Sequence, residues 1–464
     1  LGDVYKRQYF AYSIIFAGLA LGSCSESFLD QNPPLYIEPD DIYNNPQRLE
    51  STLLGLYSAI KNTSDESFLG GKTYMVFDNR SEDIVNVDEN LITLANTYNF
   101  KVSSTDTENT TTWNNAYAAI NKVNTYLENL ETAKDVAGDK YGQFKAEAKF
   151  VRAIAYFYLN NLYSKPFLLD ENAKSVPLRL KAEGDGSNNG MPRSTVKQVY
   201  EQILDDLSDV NSLPVKNKLD ESNVTRATQA AAYMLKMRVY MAMGMWKEAV
   251  EAGKAVSGYS LTAKFADLFK APYYTDETIF TLPMSDTNRP NTQQSLGEYY
   301  NASKAILEVD MNNGIMSKEG YNISSDARVL MKNEDGRLQK FVDYSTKLDW
   351  VPIFRYAETI LNLAECYVNL GLESDARECL KIVRRRSVSA ENDIINIDSL
   401  SGNELKTAVY NERRLEFIGE GLRGIDVMRR GDSFERVSPV TPSNNGYVWP
   451  IPQSEQLMNP DLNK

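Results

Sequence analysis

The chain has 464 residues, 42% hydrophobic and 24% charged, with no long low-complexity tract; that is enough for a large core and, by length alone, for two or three domains. Its 50 Lys and Arg against 63 Asp and Glu give a formal charge of −13, which argues against a nucleic-acid partner, since no basic cluster stands out beyond Arg384-Arg385-Arg386. With no histidine at all, Ser-His-Asp triads, histidine zinc sites and imidazole bases are excluded; chemistry would fall to carboxylates, Tyr or Lys, and no metal or cofactor is expected.

Lys6-Arg7 precedes a run that is uncharged from Gln8 to Ser25, with the apolar stretch and small-residue end of a secretory signal, and it is short for a membrane span. The run closes on Leu21-Gly22-Ser23-Cys24, which looks like a bacterial lipobox: small residues admit a signal peptidase to the backbone, and the thiol receives diacylglycerol. Residues 1–23 therefore read as a signal peptide and Cys24 as the lipidated first residue of the mature chain, the acyl chains giving stable anchoring. A buried N-terminal helix is the plain alternative. The opening Leu1, in place of Met, reads as a truncated or foreign start.

Residues 24–40 form a polar, proline-bearing tether, and 41–464 a single mainly helical domain. Leu49, Leu53, Leu56, Tyr57 and Ile60 give Gln47 to Lys61 a helical face. Thr73 to Thr112 shows no sustained period and reads as a long loop insertion. Trp113, Tyr117, Ile120, Val123 (or Asn124) and Leu127 then line one face of a helix, which makes Trp113 a core residue, and Gln143 to Leu162 is an alanine-and-aromatic helix stopped by Pro166. Pro192-Arg193-Ser194-Thr195 caps a helix expected over Val196 to Leu213.

Two segments about a hundred residues apart share one pattern: Tyr240, Gly244, Ala249 and Val256 recur as Tyr367, Gly371, Ala376 and Val383. Each reads as a helical hairpin with glycine ending the first helix, and the order of large residue, Tyr, Gly and small residue resembles the tetratricopeptide repeat. Cys379 takes the small-residue place of Ala252 and Cys366 lies on the preceding helix; both read as packed thiols, with a bridge between them left open. Between the hairpins, Leu261 to Trp350 loses helical regularity and forms a second insertion. Leu400 to Gly431 is helical and dense in charge, and its Glu412, Arg413, Arg414, Glu416, Glu420, Arg423, Asp426 and Arg430 read as an ion-pair lattice joining the last helix to the hairpins.

Nothing in the periodicity of the two insertions demands burial of their aromatics. Sugars offer apolar C–H faces ringed by hydroxyls, so a sugar site wants flat exposed rings flanked by hydrogen-bonding side chains. Tyr74, Asp78, Asn79, Arg80 and Tyr98 in the first insertion, and Tyr273, Tyr274, Tyr299, Tyr300 and Trp350 in the second, have that chemistry and are expected to converge on one surface. For each, packing beneath its own loop is the competing reading.

FLDQNPP after the lipobox, AEAKFVRAIAYFYLNNLY, the hairpin from Arg226, FRYAETILNLAECYVNLG, ERRLEFIGEGLRGIDVMRRGD and the terminal WPIPQSEQLMNPDL together resemble the SusD/RagB family of Bacteroidetes outer-membrane nutrient-binding lipoproteins, in the family's order and over nearly the whole chain. Glu412 to Gly431 is the most specific part. The resemblance implies repeat-like hairpins in a right-handed superhelical scaffold with loop insertions, an outward-facing lipid anchor on Cys24, oligosaccharide capture without catalysis, and partnership with a SusC-like TonB-dependent transporter. The ligand loops match in position only, and the chain stops at Lys464 before the ending common in such proteins, which reads as a few missing residues. A repeat scaffold that binds protein segments, and a glycoside hydrolase using two carboxylates, are the alternatives.

Overall fold

The structure is a computed structural model that describes residues 43–62, 68–87, 93–185, 189–215, 220–303, 305–391 and 395–464. The leader, Cys24 and the tether lie outside these residues. The first helix, α1 (Pro46–Lys61), starts where the Asn45 side chain accepts hydrogen bonds from the amides of Gln47 and Arg48, and it buries Leu49, Leu53, Leu56, Tyr57 and Ile60.

The next segment departs from expectation. Residues read as loop form α2 (Lys72–Arg80), with all nine side chains buried, followed by β1 (Ile84–Asn86) and a single helical turn at Ala95–Tyr98. A helix enclosed on every side needs no polar face, so its sequence carries no helical period. Helix α3 (Thr107–Thr132) buries Trp113, Ile120, Val123 and Asn124, and α4 (Tyr141–Tyr163) packs its small Ala146, Ala148, Ala153 and Ala155 into the core. Helix α5 (Val196–Asp206) has the Thr195 cap in the form of a reciprocal box with Gln198, but it ends seven residues early; a 3₁₀ turn at Val210–Ser212 leads to Pro214 and keeps Val210 and Leu213 buried.

Two helical hairpins follow the expected plan. In α6 (Gln229–Ala242) and α7 (Trp246–Ala255) the turn falls at Gly244, with φ of 71°, a backbone that L side chains rarely adopt. The segment between the hairpins contributes β2 (Thr278–Leu282), a five-residue helix at Leu296–Tyr300 and β3 (Leu307–Val309); β4 (Val351–Arg355) then leads into the second hairpin, α8 (Tyr356–Asn369) and α9 (Glu373–Ser387). The hairpins are joined through Arg238 of α6, whose guanidinium donates to both oxygens of Glu358 on α8 at 2.6 and 2.7 Å. Cys366 is buried beside Met237 and Met241, Cys379 is half-buried, and both are free thiols.

Leu400 to Gly431 resolves into α10 (Gly402–Glu416) and α11 (Leu422–Arg430), parted by a left-handed turn at Gly419 and Gly421. The charge lattice is here. Arg355 reaches Glu277, Glu416 and Glu420, Arg328 reaches Asp326 and Glu412, and Arg429 reaches Glu365 and Asp426, each within 3.0 Å. Burial alone would raise Glu416, but Arg386, Arg355 and Arg328 outweigh it and hold that carboxyl well below the usual range. Among the described residues no helix is long and apolar enough to cross a membrane.

Candidate functional site

The two insertions do meet, through backbone. β1 and β3 pair antiparallel, Ile84 opposite Val309 and Asn86 opposite Leu307, and the Asp310 amide extends the contact to the Asp83 carbonyl at 2.9 Å. The Asp83 carboxylate accepts from the Ile315 amide at 2.7 Å and from Arg414 of α10 at 2.6 and 3.0 Å. The junction is thereby fixed to the charge lattice. A second antiparallel pair, β2 with β4, sets Thr278 opposite Arg355 and Leu282 opposite Val351 at the base of the second insertion.

Over the β1–β3 junction lies a half-open cleft of about 310 Å³. Ser81, Glu82 and Asp310 form one side, Tyr98 and Asn99 another, and Arg436 and Ser438, from the proline-rich close of the chain, the third. Arg436 lies flat on Tyr98, its guanidinium carbon 3.6 Å from the ring centroid, while Nη1 donates to the Tyr98 carbonyl at 2.6 Å and to that of Asn79 at 3.2 Å. No carboxylate pairs with it among the described residues. Glu82 lines the cleft with one oxygen bound by Arg423 and the other accepting no hydrogen bond; burial raises it, but Arg423 and Arg414 outweigh that and hold it at about 2. Asp310 accepts from the amides of Asn312 and Asn313, both at 2.9 Å, which shapes the turn at the cleft rim.

Of the ten expected ligand residues, Tyr98 alone lines this cleft. Six are interior. Tyr74, Asp78, Asn79, Arg80, Tyr299 and Tyr300 are each at most 4% exposed. Tyr74 donates its hydroxyl to the Pro352 carbonyl, and Asp78 accepts from the Tyr300 hydroxyl at 2.7 Å and the Gly421 amide at 3.1 Å. Asn79 donates to the Leu94 carbonyl at 2.8 Å, and Arg80 donates to the Tyr447 carbonyl between the rings of Phe100 and Phe434. These corrections share one cause: the polar groups find partners inside, although Oδ1 of Asn79 and Nη1 of Arg80 are left without one.

The remaining three, Tyr273, Tyr274 and Trp350, form a separate half-buried cluster. The Trp350 ring lies 5.8 Å from Tyr273 at 22° and 6.1 Å from Tyr274, and its indole donates to the Met284 carbonyl at 3.2 Å. The Tyr273 hydroxyl donates to Asp349 at 3.3 Å, a carboxyl that burial raises to about 6. Trp350 also walls a cavity of about 280 Å³ beside Tyr57 and Lys61 of α1, and it shares no wall with the first cleft. The expected single surface is therefore two places.

Arg436, Glu82 and Asp310 were not singled out from sequence. Asp310-Met311-Asn312-Asn313-Gly314 did carry a turn signal that places polar side chains at a rim. Arg436 sits in a stretch with no period and no motif, and only the fold brings it to Tyr98.

A family model described as starch-binding and associating with the outer membrane matches residues 27–241, and the SusD family model matches residues 224–464. The structure is similar to that of a SusD superfamily protein from Bacteroides fragilis, with a TM-score of 0.89 and 57% identity over 91% of this chain and 100% of that one. It is also similar in fold to surface glycan-binding protein A from Bacteroides uniformis, at a TM-score of 0.70 and 20% identity over 90% of this chain and 98% of that one. In sequence it is 23% identical to SusD-like protein P25 of Formosa agariphila over 97% of this chain and 96% of the relative. Helical scaffold and matched models agree on the class, carbohydrate-binding proteins associated with the outer membrane. The chain belongs to the SusD family.

Proposed function

We propose that this protein is a cell-surface glycan-binding lipoprotein, anchored through lipid on Cys24, that captures oligosaccharide in the Tyr98–Arg436 cleft and delivers it to a SusC-like TonB-dependent transporter. The observation that carries the reading is the cleft: an aromatic ring, a planar guanidinium and polar rim residues gathered where the two insertions and the end of the chain meet. The name of the Bacteroides uniformis neighbour supports it, as does the family description. Binding without turnover is the fitting chemistry, since a glycosidase asks for a carboxyl kept protonated beside the scissile bond, and Glu82 is held at about 2.

Tyr98 acts through Arg436 rather than by direct stacking alone, because the guanidinium covers one of its faces. A glycan array probed with the full chain in detergent identifies the ligand. Tyr98→Ala then weakens binding roughly three- to tenfold, the loss of one aromatic contact and of the ledge that positions Arg436. Wild-type affinity in a folded Tyr98→Ala protein would place the site elsewhere. For the anchor, Cys24→Ser abolishes lipid labelling and releases the protein from the outer membrane; unchanged retention removes the lipoprotein reading. Gentle extraction of the native protein brings a large β-barrel transporter with it, and recovery of the chain alone counts for the protein-scaffold alternative.

A further inference from the structure

Two sets of arginines stand out among the described residues. Arg238, Arg328, Arg355, Arg414 and Arg429 each touch a carboxylate at 2.8 Å or less, and those carboxylates offset the cost of burial so that each guanidinium holds its proton more tightly than usual. Arg80 and Arg436 are the reverse. Both lie at one corner, around Tyr98 and Phe100, with no carboxylate in ion-pair range among the described residues. Burial lowers Arg80 to about 10 and lowers Arg436 as well. Arg193 is also lowered by burial, but its donors are engaged by the carbonyls of Tyr163, Lys174 and Ser175, away from the cleft.

A buried or half-buried charge left without a counter-ion is costly. It is the more notable in a chain with a formal charge of −13, where carboxylates are plentiful. The acids nearest this corner are committed. Glu82 is bound by Arg423 and Arg414, Asp83 by Arg414, and Asp310 by the amides of its own turn, while Glu435 is exposed. Nη1 of Arg436 is fixed on two carbonyls and the guanidinium rests on the Tyr98 side chain, with no carboxylate in ion-pair range among the described residues. Nη1 of Arg80, just behind Phe100, has no partner. The corner thus holds a pre-oriented guanidinium on the cleft and a second positive charge behind it.

We propose that the cleft is built for an acidic saccharide: a sugar bearing a carboxylate or a sulfate ester sets its anion on the guanidinium of Arg436, within the field of Arg80, while the rim of Asp310 accepts from its hydroxyls. This rests on the cleft being the glycan site. A planar fork meets a carboxylate or sulfate through paired hydrogen bonds, and such charge-assisted bonds are roughly twice as strong as those to a neutral hydroxyl.

The test is calorimetric titration of the full chain in detergent with oligogalacturonate, its carboxyl-reduced form, a sulfated oligosaccharide and a neutral glucan of equal length. One or both acidic probes bind at least about tenfold tighter than the neutral ones, and the margin shrinks as salt rises. Which acidic probe binds separates carboxylate from sulfate. Arg436→Gln removes the margin between acidic and neutral probes, while Arg436→Lys, keeping charge without the fork, retains part of it. Equal binding of oligogalacturonate and its reduced form, with no preference for sulfate, overturns the inference whatever the variants do. If neutral binding nonetheless falls in Tyr98→Ala, the cleft stands as a glycan site and only its acidity is lost; if no probe binds, both readings fail.

Discussion

Helix α2 and the Tyr273–Tyr274–Trp350 cluster were built from similar material, tyrosines beside acids and amides in stretches without a period, and the fold treats them oppositely. Every side chain of α2 is buried, whereas the three rings of the cluster stay half-exposed. The difference lies in what surrounds them. α11 presses so closely on α2 that a Cβ on Gly424 would stand 2.5 Å from the Phe77 carbonyl, and the five-residue helix at Leu296–Tyr300 covers another side through the Tyr300 hydroxyl. Trp350 faces a half-open cavity walled by α1, the end of β2 and loop residues. Absence of a hydrophobic period therefore has two meanings, exposure on all sides or enclosure on all sides, and composition alone does not separate them.

Three substitutions can break or sharpen that contrast. The largest effect belongs to Phe77→Ala in α2, which opens a cavity in an interior that has no room to collapse; unfolding in denaturant is expected to lose about 3–5 kcal/mol. A loss under 1 kcal/mol would mean that α2 is not enclosed in solution.

Asp78→Asn comes second, and its effect depends on pH. Burial raises the Asp78 carboxyl to about 7 from an ordinary value near 3.8, so the folded protein keeps a proton that the unfolded chain releases. Stability from this group is greatest in acid and is lost as pH climbs from about 4 to about 7, by up to roughly 1.4 kcal/mol per pH unit. Asparagine cannot ionise, so the variant gains on the wild type across that window and runs parallel to it above. A difference in melting temperature that stays flat from pH 4 to pH 8 would show an Asp78 that is ionised throughout.

The smallest effect is at the other region. Trp350→Ala leaves stability within about 1 kcal/mol, since it removes a half-exposed ring and one hydrogen bond. It also leaves binding in the Tyr98 cleft unchanged, because the two places share no wall. Loss of glycan binding in a folded Trp350→Ala protein would join the two surfaces again and restore the single platform that the sequence led us to expect.

Much of the helical frame was open to reading. Leu49 to Ile60 and Trp113 to Leu127 declare their faces, Gly244 and Gly371 mark their turns, and the spacing of Glu412 and Glu416 announces partners on one side of a helix, although Glu420 falls in the turn beyond it. These signals are local: each needs only a few turns of chain. The cleft was mostly closed to reading because its parts are not local. Tyr98 had the right chemistry, but Arg436 is more than three hundred residues away along the chain, and its lack of a carboxylate partner is a fact about space that no spacing encodes. Asp78 and Arg80 misled for the matching reason, since polar side chains announce hydrogen-bonding capacity without saying whether the partner is water or protein.

The cleft has walls from residues 81–84, 98–100, 310–313 and 436–440, so it depends on one of the longest loop closures the chain can make. A nascent chain emerging from its N-terminus can fold α1, α3 and α4 long before the final strip exists, yet it has no third wall until residue 436 has arrived and Arg436 has found the Tyr98 carbonyl. The cleft is therefore completed only late in synthesis.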